Sequence, residues 1–398
     1  MTLTDAIASI AEWLIDGARS ARTPDAVLTE LCERVVAAGI PIWRAAIFIR
    51  TLHPEIMGRR IEWREGHGTA ISEASYAVFD STAFRGSPVA RVYDDARPLR
   101  LRLALEPMDD AFPQLNELRA EGATDYLAVP FIFGNGEVHV GVWSTRAVGG
   151  FTDSQLAALK SLTGPLSRLA EIHALRRTAT NLLNTYVGNE AGARILAGQI
   201  RRGFTETIRA VIWLSDMRGF TALADRMEPT GLIALLNRYF ECQVPAIQRH
   251  GGEILKFMGD GLLAIFPLNE STDPGHVCQR ALTAAIETRA AIAALGEWPA
   301  VAGIRWPRFG VALHIGELLY GNIGAGNRLD FTCIGPAVNL AARLEGLASR
   351  LGRTTLLSAD FAEHCPDEVI PLGAFTLAGF RQRMTVYGLA DESSREAG

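Results

Sequence analysis

Apolar residues in the first forty positions recur at helical spacing. Ile7, Ile10 and Leu14 make one stripe, Val27, Leu28, Leu31, Val35 and Val36 a second, and Pro41 closes the second helix. The period then shortens. RAAIFIRTL (44–52) and RRIEWREG (59–66) alternate or run apolar with β-branched and aromatic residues, and YLAVPFIF (126–133) is separated from VHVGVWST (138–145) by a turn opening with Gly-Asn-Gly, a hairpin signal. Helical spacing returns after Gly149-Gly150. Leu156, Leu159, Leu162, Leu166, Leu169, Ile172 and Leu175 predict one long helix capped at Thr152 or Asp153, with a kink at Pro165. Residues 1–175 therefore predict an α+β domain. Residues 176–204 begin helical and are then broken by glycines, as a connector between folded units is.

The second half opens on IRAVIWLS (208–215), an apolar run of strand length that predicts a strand buried on both faces. An amphipathic helix from Pro229 to His250 ends at Gly251-Gly252, and EILKFM then leads through Gly259-Asp260-Gly261 into LLAIFPL, a predicted hairpin. Further on, Val311–Ile315 predicts a strand turning at Gly316 into a second short strand. Gly321, Gly324 and Gly326 predict a flexible loop, and Pro336 starts a helix.

A chain of 398 residues is long for one core and matches this division into two domains. With 48% apolar and 21% charged residues, disorder is excluded as a general description. No apolar run reaches the roughly 18 residues of a membrane-spanning helix. The first residues carry acids in a helical pattern, unlike a signal peptide, so the expectation is a cytoplasmic protein without membrane insertion. Cys32, Cys242, Cys278, Cys333 and Cys365 lie far apart and form no paired motif, which fits a reducing compartment. A net charge of −5 without a basic block argues against nucleic acid as partner. Trp13, Trp43, Trp63 and Trp143 read as core packing, and His53, His67, His139 and His173 lack metal-ligand spacing.

Candidate chemistry gathers in the second half. Asp216 stands at the carboxyl end of the buried strand, where open sheets place ligands, and Gly219 lets the backbone at Phe220 and Thr221 approach a phosphate. The hairpin tip holds Asp260 at one end of the same sheet. Two convergent carboxylates repel unless a cation lies between them, and oxygen ligands beside a nucleoside triphosphate imply Mg²⁺ or Mn²⁺. Asn339 and Arg343, four apart on one helix, share a face and suit a ribose and a phosphoryl oxygen. Taken singly, each of these residues is as well explained by a cap or a solvated surface.

In order, LSDMRGFT, HGGEILKFMGDGLLAIF, GVALHIGELLYGNIG and DFTCIGPAVNLAARLE resemble the class III nucleotidyl cyclase catalytic domain, across residues 205–392. The resemblance implies a ferredoxin-like βαββαβ core working as a homodimer with two shared sites. It implies that Asp216 and Asp260 hold two Mg²⁺ or Mn²⁺ ions and that Asn339 and Arg343 act on the transition state from the neighbouring subunit. Lys256 and Thr332 match the purine-selecting positions; the lysine implies ATP and an adenylate cyclase, and the threonine marks a subgroup often stimulated by bicarbonate. Where the family has a Lys-Gly pair this chain has Ala378-Gly379, which leaves Arg381 or Arg383 to meet the triphosphate. A guanylate cyclase and a silent regulatory pseudo-cyclase are the alternatives; a diguanylate cyclase would need a different hairpin turn from FMGDGL. The central hairpin followed by FTDSQLAALKSL resembles the end of a GAF sensory domain, which implies a small-molecule effector for the first domain; a plain dimerisation domain fits the same pattern.

Overall fold

The computed structural model describes residues 2–105, 112–295, 308–326 and 328–392. The chain divides into two compact units, Met1–Leu182 and Leu183–Gly398.

In the first unit, helices α1 (Leu3–Ile15) and α2 (Pro24–Ala37) start at threonine caps; Thr2 exchanges hydrogen bonds with Asp5 in a capping box. Strands β1 (Arg44–Arg50), β2 (Ile56–Arg64) and β3 (Gly68–Ser75) follow, then short helices α3 (Tyr76–Asp80), α4 (Thr82–Arg85) and α5 (Pro88–Asp95). Strand β4 (Leu99–Leu101), helix α6 (Gln114–Ala120), strands β5 (Asp125–Ile132) and β6 (Val138–Thr145) and helix α7 (Asp153–Val187) complete the order. The strands form one antiparallel sheet, β3-β2-β1-β6-β5-β4. Alternation along β1 splits the core: Ala45 and Ile47 face α1, α2 and α7, while Ala46 faces Val92 of α5 and Leu115 and Leu118 of α6. Trp63 and Trp143 are buried in the first of these layers. Pro165 lies inside α7 without ending it.

The second unit continues with α8 (Asn189–Leu196), β7 (Thr205–Met217), α9 (Phe220–Ala224), α10 (Pro229–Arg249), β8 (Glu253–Met258), β9 (Gly261–Leu268) and α11 (Pro274–Ala293). After these come β10 (Phe309–Ala325), β11 (Arg328–Ile334), α12 (Pro336–Arg350), β12 (Thr355–Ser358), α13 (Ala359–Ala362), β13 (Val369–Thr376) and β14 (Arg383–Leu389). Their sheet runs β13-β14-β12-β10-β7-β9-β8, with β11 paired to β10. Strand β7 is flanked on both edges, and Ala210, Val211, Ile212 and Trp213 are fully buried, which is why its sequence is continuously apolar. Val211 and Trp213 pack towards α10 and α11, while Ala210 and Ile212 pack towards Ala337 and Ala341 of α12.

Two sequence expectations need correction. Strand β10 does not turn at Gly316: its ladder with β7 passes unbroken through Ile315↔Val211, Gly316↔Ala210 and Glu317↔Arg209. Glycine is required there because a Cβ would stand 2.8 Å from the Cβ of Ala337. Gly321 and Gly324 likewise lie in β10, paired to β11, not in a flexible loop. Gly321 has φ +154°, and a Cβ on it would come within 2.2 Å of the Phe204 carbonyl oxygen. The sequence signal was close backbone approach, not looseness.

All five cysteines are free; Cys242 is half-buried and the other four are buried. Among the described residues no helix is long and apolar enough to cross a membrane.

Candidate active site

Asp216 is the penultimate residue of β7, and Asp260 occupies the β8–β9 turn, whose Gly259 adopts φ +68°. Because β9 pairs directly with β7, the turn is held against the end of that strand and the two carboxyls meet in a hydrogen bond. Burial pushes the Asp216 carboxyl up to about 7. The hydrogen bond and repulsion from Asp260 add to this, as does repulsion from Glu345, while the Met217 amide opposes it. A Cβ on Gly261 would lie 3.3 Å from the Ser215 carbonyl oxygen and 3.5 Å from Asp216 Oδ1, so the floor is closely packed. Without a cation the pair holds a proton near neutral pH.

Next to this pair lies an ion pair that sequence reading overlooked. Arg218 Nη1 stands 2.9 Å from Glu345 Oε1, with side chains only 18% and 10% exposed, and Arg218 Nη2 donates to the Glu345 carbonyl oxygen at 3.3 Å. A Cβ on Gly310 would fall 1.7 Å from Arg218 Nη2, so that glycine makes room for the guanidinium. Burial raises the Glu345 carboxyl despite Arg218. The available signal was an acid within the buried stripe of α12 formed by Ala341, Leu344 and Ala348.

Gly219, at φ +73°, precedes α9, which begins at Phe220 without a side-chain cap. Phe220 is half-buried against the core, Thr221 is exposed, and the first-turn amides have no helical acceptor.

Lys256 projects from β8 and forms an ion pair with Asp330 of β11. Thr332 lies two residues further along β11, on the same face as Asp330, while Phe331 and Cys333 are buried on the other. Asp330 was present in the sequence block but was given no role there. Only the pairing of β11 with β10 brings it to the lysine.

Asn339 and Arg343 stand on the exposed face of α12, opposite its buried stripe. Among the described residues neither side chain makes a hydrogen bond or ion pair, so within one chain they do not join the Asp216–Asp260 group. Arg383 is tied to the Ala374 carbonyl oxygen at 2.6 Å, whereas Arg381 is exposed and has no partner among the described residues.

Among the described residues no three His, Cys, Asp or Glu side chains cluster for a metal ion. The pair nevertheless suits a hard divalent cation that completes its shell with substrate and water oxygens, as Mg²⁺ does with one or two carboxylates.

Residues 205–367 match the family model of the adenylate and guanylate cyclase catalytic domain. The chain is 33% identical over 174 residues to an adenylate cyclase of Anabaena cylindrica, covering 42% of this chain and 33% of that protein. It is 28% identical over 241 residues to adenylate cyclase 1 of Rhizobium meliloti, covering 59% of this chain and 34% of that protein. The matches span about a third of the length of these curated relatives. The solved adenylyl cyclase CyaB of P. aeruginosa aligns with 28% identity and a TM-score of 0.43, over 49% of this chain and 99% of that one. Within the second unit, residues 205–367 are thus similar to the catalytic domain of adenylate and guanylate cyclases, by the family model and by these relatives together.

Proposed function

We propose that this protein is an adenylate cyclase converting ATP to 3′,5′-cyclic AMP and pyrophosphate. The observation that carries the reading is the meeting of Asp216 and Asp260 at the end of β7, which with the Asp216 carboxyl raised by burial and by Asp260 suits a cation between them. The adenylate cyclases among its relatives, and Lys256 at the purine-selecting position, favour ATP over GTP.

Asp216 and Asp260 would hold two Mg²⁺ or Mn²⁺ ions. When bound, these supply charge to acidify the ribose 3′-hydroxyl and to stabilise the departing pyrophosphate. The amides of Phe220 and Thr221 receive phosphate oxygens at the start of α9, and Arg381, left free where Arg383 is tied, meets the triphosphate. Lys256 and Thr332 face the purine edge. Asn339 orients the ribose and Arg343 neutralises charge developing on the α-phosphoryl oxygens.

Because Asn339 and Arg343 are exposed and without a side-chain partner among the described residues, the active form in this reading is a homodimer in which they reach the partner's carboxylates. Large apolar side chains left exposed in the second unit, Phe257 and Met258 on β8 and the cross-strand pair Leu319 and Ile334, suit such an interface. The strand order β10-β7-β9-β8 with its α10 and α11 crossovers is read as the ferredoxin-like core, and the first unit as a GAF-like regulator receiving a small effector.

The test is product formation by purified full-length protein given ATP or GTP with Mg²⁺ or Mn²⁺. Cyclic AMP from the wild type and none from Asp216→Ala supports the reading. Cyclic GMP as the sole product supports the guanylate alternative, and no product from an intact dimer supports a regulatory pseudo-cyclase.

A further inference from the structure

The first unit contains a cavity of about 340 Å³ between the β1–β2–β3 end of its sheet and the second half of α7. Its body is apolar, formed by Ile47, Ile61, Leu166 and Leu169, which continue the hydrophobic layer under α7. Its polar end is unbalanced. Arg59 and Arg177 share one carboxylate, Glu73, at 3.9 and 3.7 Å, and neither guanidinium makes a hydrogen bond among the described residues. The Nε of Arg59 is enclosed and donates to nothing. Packed groups at that distance have stopped short of contact, although a satisfied guanidinium–carboxylate pair closes to about 2.8 Å.

The other basic lining groups do not alter the balance in the cavity's disfavour. The Arg50 guanidinium is engaged over the Tyr93 ring at 4.4 Å, and burial, with the Arg176 charge, lowers the proton affinity of His173 and keeps it neutral at physiological pH. With Arg50 over the neutral Tyr93 ring as a third, the guanidiniums of the lining outnumber its one carboxylate, Glu73, and leave the polar end of an apolar chamber net positive. A cavity of this volume lies at the lower end of small-molecule sites.

We infer that this cavity binds an apolar monocarboxylate of roughly 10 to 15 non-hydrogen atoms, its carboxylate between Arg59 and Arg177 and its hydrocarbon body along Ile47, Ile61, Leu166 and Leu169. The inference concerns ligand binding and does not rest on the catalytic reading.

Isothermal titration of full-length protein with decanoate, kept below micelle-forming concentration, tests it, with decanol and decyltrimethylammonium as uncharged and cationic counterparts. Expected are saturable binding of one decanoate per chain, a raised thermal midpoint, and binding of the other two weaker by about tenfold or more, one charge-assisted contact being worth at least that. Arg59→Gln with Arg177→Gln weakens decanoate alone, Glu73→Gln strengthens it, and Ala174→Trp, which fills the chamber from α7, abolishes it. Glu73→Gln keeps the test decisive if the double variant does not fold. Absence of decanoate binding to the wild type, equal binding of decanol, or unchanged binding by Ala174→Trp would overturn the inference. Cyclase activity, present or absent, changes none of these readouts.

Discussion

At the scale of single residues, the Asp216 carboxyl gives a pH signature. Its proton affinity in the folded chain, about 7, exceeds the ordinary carboxylate value, so between about pH 4 and pH 7 the unfolded chain has lost a proton that the folded chain keeps. Stability of the metal-free protein therefore falls as pH rises through that window and levels off above 7, and Asp216→Asn flattens the slope in urea titrations at successive pH values. Added Mg²⁺ or Mn²⁺ displaces that proton, so metal stabilisation grows towards pH 8. A profile identical in wild type and Asp216→Asn would disprove the shared proton. The Lys256–Asp330 pair makes a second prediction. Asp330→Asn leaves the ammonium without its partner, and the kcat/KM ratio of ATP to GTP falls by about tenfold, the worth of one hydrogen-bonded discrimination. A ratio that stays fixed while both values drop would give Asp330 a purely structural part.

At the scale of elements, Arg218 and Glu345 tie the end of β7 to α12 through a nearly enclosed ion pair. Removing one partner strands the other, so Arg218→Met costs about 3 kcal/mol in chemical denaturation. Glu345→Gln, which keeps shape and a hydrogen-bonding oxygen, costs less. Gly321→Ala forces the Phe204 carbonyl away and loosens the β10–β7 ladder where it ends, at a cost on the order of 1–3 kcal/mol. The elements were legible where local pattern and tertiary environment agreed. The run Ala210–Trp213 announced a strand buried on both faces, and Gly259-Asp260 announced its hairpin. Legibility failed at Gly316, Gly321 and Gly324, since a glycine that admits a neighbouring backbone looks in sequence like one that frees a loop. It failed also at Asp330 and Glu345, whose partners lie 74 and 127 residues away and are reached only through sheet pairing for the first and the packing of α12 on the sheet for the second.

At the scale of the whole molecule, the proposed homodimer makes complementary damage repairable. If the carboxylates come from one subunit and Asn339 and Arg343 from the other, Asp216→Ala and Arg343→Ala each abolish activity alone. Their heterodimer places both lesions in one site and leaves the second site intact. An equimolar mixture, after subunit exchange, recovers about a quarter of wild-type activity, half the dimers being mixed and each having one working site of two. No recovery by a mixture shown to exchange would place the full site within a single chain.

The cysteines bear on how such an assembly can be watched. Burial drives every thiol upward, Cys278 and Cys365 to about 12 and Cys333 to about 11, with Cys32 well above its ordinary value and Cys242 raised as well. Near neutral pH almost none of their sulfur is thiolate, the form that reacts. The four buried thiols are therefore shielded from maleimides and mild oxidants, and half-buried Cys242 is the native sulfur most open to them. A thiol introduced at exposed Asn339 would label ahead of the four buried cysteines, and with Cys242 replaced by serine the protection of that one label on subunit association would report the encounter directly.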